Sequence, residues 1–532
     1  MRPSSLLFTA ATAAAAAISH RVRDSAPIAV SGSVPDNAGD PVLHPFVSFS
    51  IEFAFFPDYA GNKSHPNLFS NQLLDNIAAL QGSKPYIRVG GNTQDYALYN
   101  ASLKTATNGT YIPSISTDYP RILYIGPSFF ESYSTWPDTK FIHGFNLAKN
   151  DSIALDSLLA TVPLVCKALQ GGKLAYWELG NEPDLYKTSA QGIMRPANWT
   201  EQDYVNEWLN KSRAIRNAMA KACPEMATDA AYKYIAPSFA GVSNSLQPVT
   251  TWKDGLDTDH DIALNSEHNY IGGATQPGVT LQGTLMNHTS TVNSVNKQVN
   301  LSRVLTEENL TPGIPYILGE TNSLYNEGAP GLSNAFGAAL WGIDFNLYCA
   351  SQGIRRTHMH QGTDYRYASW QPVQTNKTTI GTKPPYYGNI FVAAMLQGGS
   401  DVRVVNLPLP KEEEAAYAAY VDGKLARIAV VNMVEFNYTE TKPNATRPSA
   451  TYTFQVPPSS SQKSLSVQRL LANGSNAITG ITWDGWSYNY ELQGGKPVRL
   501  HNVTVGEKAS VNEQGVVAID VPYSSAVILN VE

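Results

Sequence analysis

Two glutamates stand where apolar strands run out. Leu174 to Leu179 reads as a strand, with Tyr176 and Trp177 favouring a pleated surface, and Gly180-Asn181-Glu182-Pro183 closes it with a turn signal. Pro183 disfavours helix at Glu182 and favours an extended or turn backbone there. Pro315-Tyr316-Ile317-Leu318-Gly319-Glu320 repeats the arrangement: an apolar strand, a glycine, a glutamate. A glutamate after a strand is by itself an ordinary solvated loop residue. The pair suits cleavage of a glycosidic bond, which needs one carboxyl to protonate the leaving oxygen and another, ionised, to meet an oxocarbenium-like centre. Two nearby carboxylates repel, so one pKa is pushed up. Glu182 is therefore expected as the protonated acid/base and Glu320 as the ionised nucleophile.

Such a pair needs a scaffold that brings distant strand ends to one rim. Strands are expected at Val47–Phe53, Tyr86–Val89, Lys140–Leu147, Leu174–Leu179, Tyr234–Ser238, Ile262–Tyr270, Pro315–Glu320 and Ile354–His360. Helices are expected at Asn67–Gln81, Asp151–Leu169, Thr200 to about Lys221, Asn293–Asn309, Leu332–Gln352 and Tyr387–Leu396, the first with Leu73, Leu74, Ile77 and Leu80 at helical spacing. Eight alternations predict an α/β fold, a (β/α)8 TIM barrel over residues 41–400. Tyr96–Asp118 is polar and reads as an exposed excursion. After Ser400 the texture changes to strands at Ala418–Val434, Ala450–Val456, Ser464–Leu471 and Val516–Val531. Residues 401–532 are expected to form a β-sandwich, completed by an N-terminal strand from 26–34. Its expected role is to buttress the barrel; Trp483 and Trp486 are candidates for stacking on sugar.

Composition narrows the class. The chain has 532 residues, 43% hydrophobic and 15% charged, as in a globular enzyme. A net charge of -6 and the absence of a Lys/Arg run leave nucleic-acid binding without an electrostatic footprint. Met1–Ser19 carries Arg2 and then an Ala-rich apolar run, the pattern of a secretory signal peptide. No later stretch reads as long and apolar enough to span a bilayer, so no membrane partner is expected. Fourteen Asn-x-Ser/Thr sequons, from Asn62 to Asn502, point to a secreted glycoprotein with N-linked glycans. Three cysteines cannot all pair. Cys166 and Cys223 end successive helices, and a disulfide between them is one pairing that an oxidising compartment allows. Cys349, inside an apolar helix, is expected free and buried. No metal-ligand spacing exists among the three cysteines, and no metal or cofactor is expected.

Asn181-Glu182-Pro183 resembles the acid/base signature of clan A retaining glycoside hydrolases, and Glu320 sits like their nucleophile. Arg88-Val89-Gly90-Gly91-Asn92, Trp177 to Asp184, His268-Asn269-Tyr270, Glu320 to Asn326 and His358 to Gly362 resemble glycoside hydrolase family 79, the β-glucuronidase and heparanase-like family, in the expected order. The resemblance implies that Arg88 supports the nucleophile, Tyr270 holds it, and Asn181 bonds the sugar 2-hydroxyl. The adjacent Gly90 and Gly91 are expected to let backbone approach the ligand closely, with Gly91 and Asn92 as substrate-binding residues. The resemblance further implies that a glucuronate carboxylate is held by Tyr325 and Tyr367, with His360 beside them and an amide of Glu327 or Gly328. A charged Glu327 would repel a uronate unless turned away. The implied activity is exo-β-glucuronidase on terminal β-linked glucuronate, including its 4-O-methyl ether. The alternatives are a β-xylanase or β-glucosidase of the same clan, and a non-catalytic glycan-binding protein.

Overall fold

Eight parallel strands close into a barrel in chain order: β1 (Val47–Glu52), β2 (Ile87–Gly90), β3 (Phe141–Phe145), β4 (Leu174–Leu179), β5 (Tyr234–Phe239), β6 (Ile262–Gly273), β7 (Tyr316–Tyr325) and β8 (Thr357–Gln361). β8 returns to β1, with Thr357 opposite Val47 and His360 opposite Ser50. The computed structural model describes residues 26–188, 192–442, 445–457, 463–501 and 503–531. The expected leader and the sequons at Asn444 and Asn502 lie outside the described residues.

The barrel helices are α1 (Leu68–Gln81), α2 (Ser152–Leu169), α3 (Glu201–Ala222), α4 (Pro248–Lys253), α5 (His288–Glu307), α6 (Phe336–Ser351) and α7 (Pro384–Met395). Local chemistry sets their starts. Asn67 caps α1 by accepting from the Ser70 amide, Asp151 caps α2 through the Ala154 amide, and Thr200 and Asp203 form a reciprocal capping box on α3. Inside the barrel, Ile142, Ile235, Leu264 and Ile317 form a buried apolar plug. Other inward positions are polar and fully buried: Ser50, Arg88, Glu178 and Ser266.

Several expectations need correction. β6 and β7 do not stop at Tyr270 and Glu320; they keep pairing beyond the rim, Gly273 opposite Tyr325. Glu320 thus lies within a continuing strand, with a register shift near His268 re-aiming the side chains. Gly319 is required there, since a Cβ would meet Ser266 Oγ at 2.1 Å. The Tyr96–Asp118 excursion holds part of a small sheet built from Ala97–Tyr99, Thr107–Thr110 and Ile122–Ile125. By length and composition α2 could cross a membrane. It is instead a barrel helix whose Leu158, Val162, Val165 and Leu169 are buried. Cys166 at its end is joined to Cys223, as one expected pairing has it, and Cys349 is free and buried.

The C-terminal part is two packed sheets. One runs β9 (Val402–Asn406), β10 (Glu414–Val421), β11 (Lys424–Asn432), β15 (Ser525–Asn530), β13 (Ser464–Leu471), then short strands through Val498–Arg499. The other pairs β12 (Ser449–Gln455) with β14 (Val516–Pro522) and, in parallel, with Ile28–Ala29. The expected single strands Ala418–Val434 and Val516–Val531 are each broken by a tight turn. Asp422-Gly423 and Ser524 take positive φ, and β14 and β15 go to different sheets. Trp483 is 2% exposed and packs edge-on against Phe391, so it offers no sugar platform. Eleven of the twelve sequon asparagines among the described residues are exposed. Asn287 is buried and caps α5 through the Ser290 amide.

A buried polar seam joins the two parts. His288 Nδ1 lies 2.8 Å from Asp344 Oδ1 on α6, and the Tyr417 hydroxyl from β10 donates to the same oxygen at 2.6 Å. Burial pulls the His288 pKa down, but the Asp344 carboxylate and its hydrogen bond more than offset this, leaving it raised. A raised folded-state pKa stabilises below the unfolded value and loses that contribution as pH rises through the folded one. We expect the melting-temperature difference between wild type and His288→Gln to be largest below pH ~6 and to shrink towards pH ~8. Paired thermal melts across that range check it; a difference that grows with pH contradicts the seam.

Candidate active site

Strand ends converge on one rim. Glu182 follows β4 in left-handed backbone (φ 51°, ψ 49°), a strained conformation for a side-chain-bearing residue. Its amide donates to the Ser238 carbonyl at 2.9 Å, fixing the turn against β5. Glu320 faces it from β7. Carboxylate oxygens of Glu182 and Glu320 and a ring nitrogen of His268 all lie within 4.8 Å of one another. His268 Nδ1 is 3.0 Å from Glu182 Oε1.

The Glu320 carboxylate is held from several directions. Tyr270 Oη donates to Oε1 at 2.7 Å and Arg88 Nη1 to Oε2 at 2.6 Å. Arg88, fully buried, divides its other donors: Nε to Glu178 at 2.8 Å, Nη1 to Ser50 Oγ at 2.9 Å, Nη2 to Asn181 Oδ1 at 2.7 Å. Asn181 is fixed again by its amide, which donates to Asp95 Oδ2 at 2.9 Å, and by its Nδ2, which donates to Asn92 Oδ1 at 3.1 Å.

The two glutamates titrate apart. Burial pushes the Glu182 carboxyl well above the usual carboxylate range, and the nearby Glu320 charge pushes it further. Burial acts on Glu320 in the same sense, but His360, His268, Arg88 and the Tyr270 hydroxyl outweigh it and leave Glu320 below its ordinary value. Burial holds His268 down to about 4, so near neutrality it is uncharged, while Arg88 keeps its charge. At neutral pH one carboxyl is therefore protonated and its neighbour ionised.

A profile of the glycosyl hydrolase family 79 C-terminal beta domain matches residues 416–528. A β-glucuronidase of Aspergillus niger is 74% identical over 514 residues, covering 96% of this chain and 94% of that protein. The chain belongs to glycosyl hydrolase family 79. A Neurospora crassa β-glucuronidase is 54% identical, covering 91% of this chain and 92% of that one. Among solved structures, a Fusarium oxysporum 4-O-α-L-rhamnosyl-β-D-glucuronidase matches with TM-score 0.74 at 22% identity, over 94% of this chain and all of that one. A family 51 α-L-arabinofuranosidase of Thermotoga petrophila matches with TM-score 0.61 at 13% identity, over 96% and 100%. These two likenesses carry the fold alone.

The family 79 pocket brings together most of the residues expected from sequence. Glu182, Glu320, Tyr270, Asn92, Tyr325, Glu327, His360 and Tyr367 line one cavity of about 890 Å³. Three placements differ from expectation. Gly91 (φ 100°) makes room for protein: a Cβ would meet the Glu52 carboxylate at 2.8 Å. The Gly328 amide donates to the Leu324 carbonyl at 3.1 Å and is not free to meet an anion. His360 sits with Nδ1 2.8 Å from Ser50 Oγ and 3.4 Å from Glu320 Oε2, and Nε2 3.4 Å from Glu52 Oε2. It bridges two carboxylates.

Glu52, Ser50, Glu178, His268 and Tyr365 were missed as site residues. Glu52 accepts from the Thr93 amide at 2.8 Å and from Tyr365 Oη at 3.4 Å. Its position at the end of β1 was the available signal. Arg366 was also missed. Its guanidinium pairs with Asp118 at 2.8 Å and lies 3.7 Å from Glu327. Burial, then Asp118, push the Glu327 carboxyl up against the opposing Arg366.

Proposed function

We propose that this chain is a secreted, N-glycosylated exo-β-glucuronidase that works with retention. The observation that carries the mechanism is the Glu182–Glu320 pair: an oxygen of one carboxyl within 4.8 Å of an oxygen of the other, in opposite protonation states. Retaining enzymes place them about 5–5.5 Å apart, and inverting ones leave room for a water at ~6.5–9.5 Å. Glu320, ionised and aligned by Arg88 and Tyr270, attacks the anomeric carbon. Glu182 gives its proton to the departing oxygen. In the glycosyl-enzyme ester Glu320 carries no charge, so Glu182 loses the neighbouring charge that helped raise its pKa and can accept a proton from the attacking water. We assign the sugar 2-hydroxyl to Asn181, a reading supported by its rigid hold from Arg88, Asp95 and Asn92.

The choice of glucuronate rests on the walls of the pocket and on the named activity of the two fungal relatives. A buried carboxylate must find donors. Tyr325 is half exposed at the end of β7, and Tyr367 is buried, its ring 6.2 Å from that of Tyr270. A protonated Glu327 removes the repulsion that a carboxylate there would exert. The Asp118–Arg366 ion pair ties the β2–β3 excursion behind Glu327, which supports an end wall and a terminal sugar, free or 4-O-methylated.

The test is release of 4-nitrophenol from its β-glucuronide by the purified protein, with the β-glucoside and β-xyloside alongside. Preference for the glucuronide is expected, with weak β-glucosidase activity, because hydroxyl donors tolerate a hydroxymethyl group. Tyr325→Phe removes one hydrogen bond to a charged group, about 1.5–3 kcal/mol, roughly ten- to a hundredfold in kcat/KM for the glucuronide. The glucoside should lose much less. Equal losses on both would remove Tyr325 from carboxylate recognition.

A further inference from the structure

The cavity is larger than one sugar needs: about 890 Å³, near the top of the ~300–1,000 Å³ range of ligand pockets. Its lining extends from Glu182 to Leu185, close along the chain, and from His268 to Gln298, which bonds it. One side of this extension is Leu185 and the segment 240–244. Asp184 fastens that segment, accepting from the Ala240 amide at 2.8 Å and from Asn244 Nδ2 at 2.7 Å. The other side is a single face of α5, carrying Asn293, Ser294, Lys297 and Gln298 at three- and four-residue spacing. That face is pinned to the end of β6. Gln298 Nε2 donates to the His268 carbonyl at 3.0 Å, and Asn269 Nδ2 to Ser294 Oγ at 3.1 Å.

Lys297 is the one lysine or arginine among the residues lining the cavity. It is exposed on that fixed wall. The ionised Glu320 lines the same cavity and disfavours an anionic leaving group, so a cation on the opposite wall is needed to hold one. We propose that Lys297 reads an oxyanion, carboxylate or sulfo, on the ring next beyond the scissile bond, so that anionic aglycones are preferred. This rests on the glucuronidase reading and adds the chemistry of the leaving-group side.

The experiment measures kcat/KM for matched aryl β-glucuronides whose rings are neutral, carboxylated or sulfonated. In Lys297→Ala the anionic-to-neutral ratio should fall about three- to tenfold, mainly through KM, as for a partly exposed charge contact. Lys297→Glu should lower it further and Lys297→Arg should keep most of it. In wild type the preference should shrink at about 0.5 M salt, through screening. A fall on either anionic arm supports the proposal and identifies the oxyanion. Ratios within about twofold of wild type in both Lys297→Ala and Lys297→Glu overturn it. If wild type cleaves none of the three glucuronides, the glucuronidase reading itself falls.

Discussion

Glu320→Gln is expected to lose about 10⁴-fold or more in glucuronide hydrolysis, in the range seen when a covalent nucleophile is removed. The reason is specific to its surroundings. Glutamine fills the same space: its oxygen can accept from Arg88, 2.6 Å from the carboxylate, while its NH2 faces the Tyr270 hydroxyl, 2.7 Å away, which can turn to accept. It cannot attack the anomeric carbon or balance an oxocarbenium charge. Glu182 also loses the neighbouring negative charge, the second influence that raises its pKa. Its alkaline limit should move down in pH in any residual activity. A smaller variant, Glu320→Gly, leaves room for azide, and azide should restore cleavage of an activated glucuronide with an α-configured glycosyl azide as product. Near-wild-type rates in Glu320→Gln would remove Glu320 from the reaction.

Arg88 carries the second large effect. It is fully buried and bonds Glu178, Ser50, Glu320 and Asn181 at once. Arg88→Met leaves two buried carboxylates without their cation, and breaking such a pair costs about 3–5 kcal/mol of stability. Arg88→Lys separates folding from chemistry, because it keeps the charge and loses the planar fork. We expect Arg88→Lys to fold but to fall about a hundredfold or more in kcat/KM, since misplacing a reacting group by about 1 Å costs that much. The acid limb should move to higher pH: a less well-bonded Glu320 carboxylate holds its proton more tightly, so it ionises later. A pH–rate profile together with a thermal melt reads both. An unchanged acid limb with reduced stability would make Arg88 a structural residue only.

The catalytic pair was legible because each glutamate has an uncommon local setting: Asn-Glu-Pro after a tryptophan strand, and Gly-Glu after an apolar one. The barrel was legible from alternation, and helix starts from capping residues such as Asn67, Asp151 and Thr200. What supports the pair was not. Ser50 meets His360 only because β8 closes on β1, and Arg88 meets Glu178 and Glu320 across the barrel interior. No local pattern marks a contact separated by 232 residues in sequence. Apolar runs also hide short turns. Ala418–Val434 reads as one strand because Asp422-Gly423 interrupts an alternation that resumes at once on the other side. Trp483 illustrates the same limit: an aromatic in a β-rich segment gives no sign of whether it faces solvent or, as here, Phe391.

The central claim is a double displacement through Glu320, and the anomer of the first-formed product tests it most directly. Proton NMR of an aryl β-glucuronide digested at a pH where mutarotation is slow should show β-glucuronic acid first, with the α-anomer growing in later. Appearance of α-glucuronic acid first would mean a single displacement, and the Glu182–Glu320 assignment would be wrong.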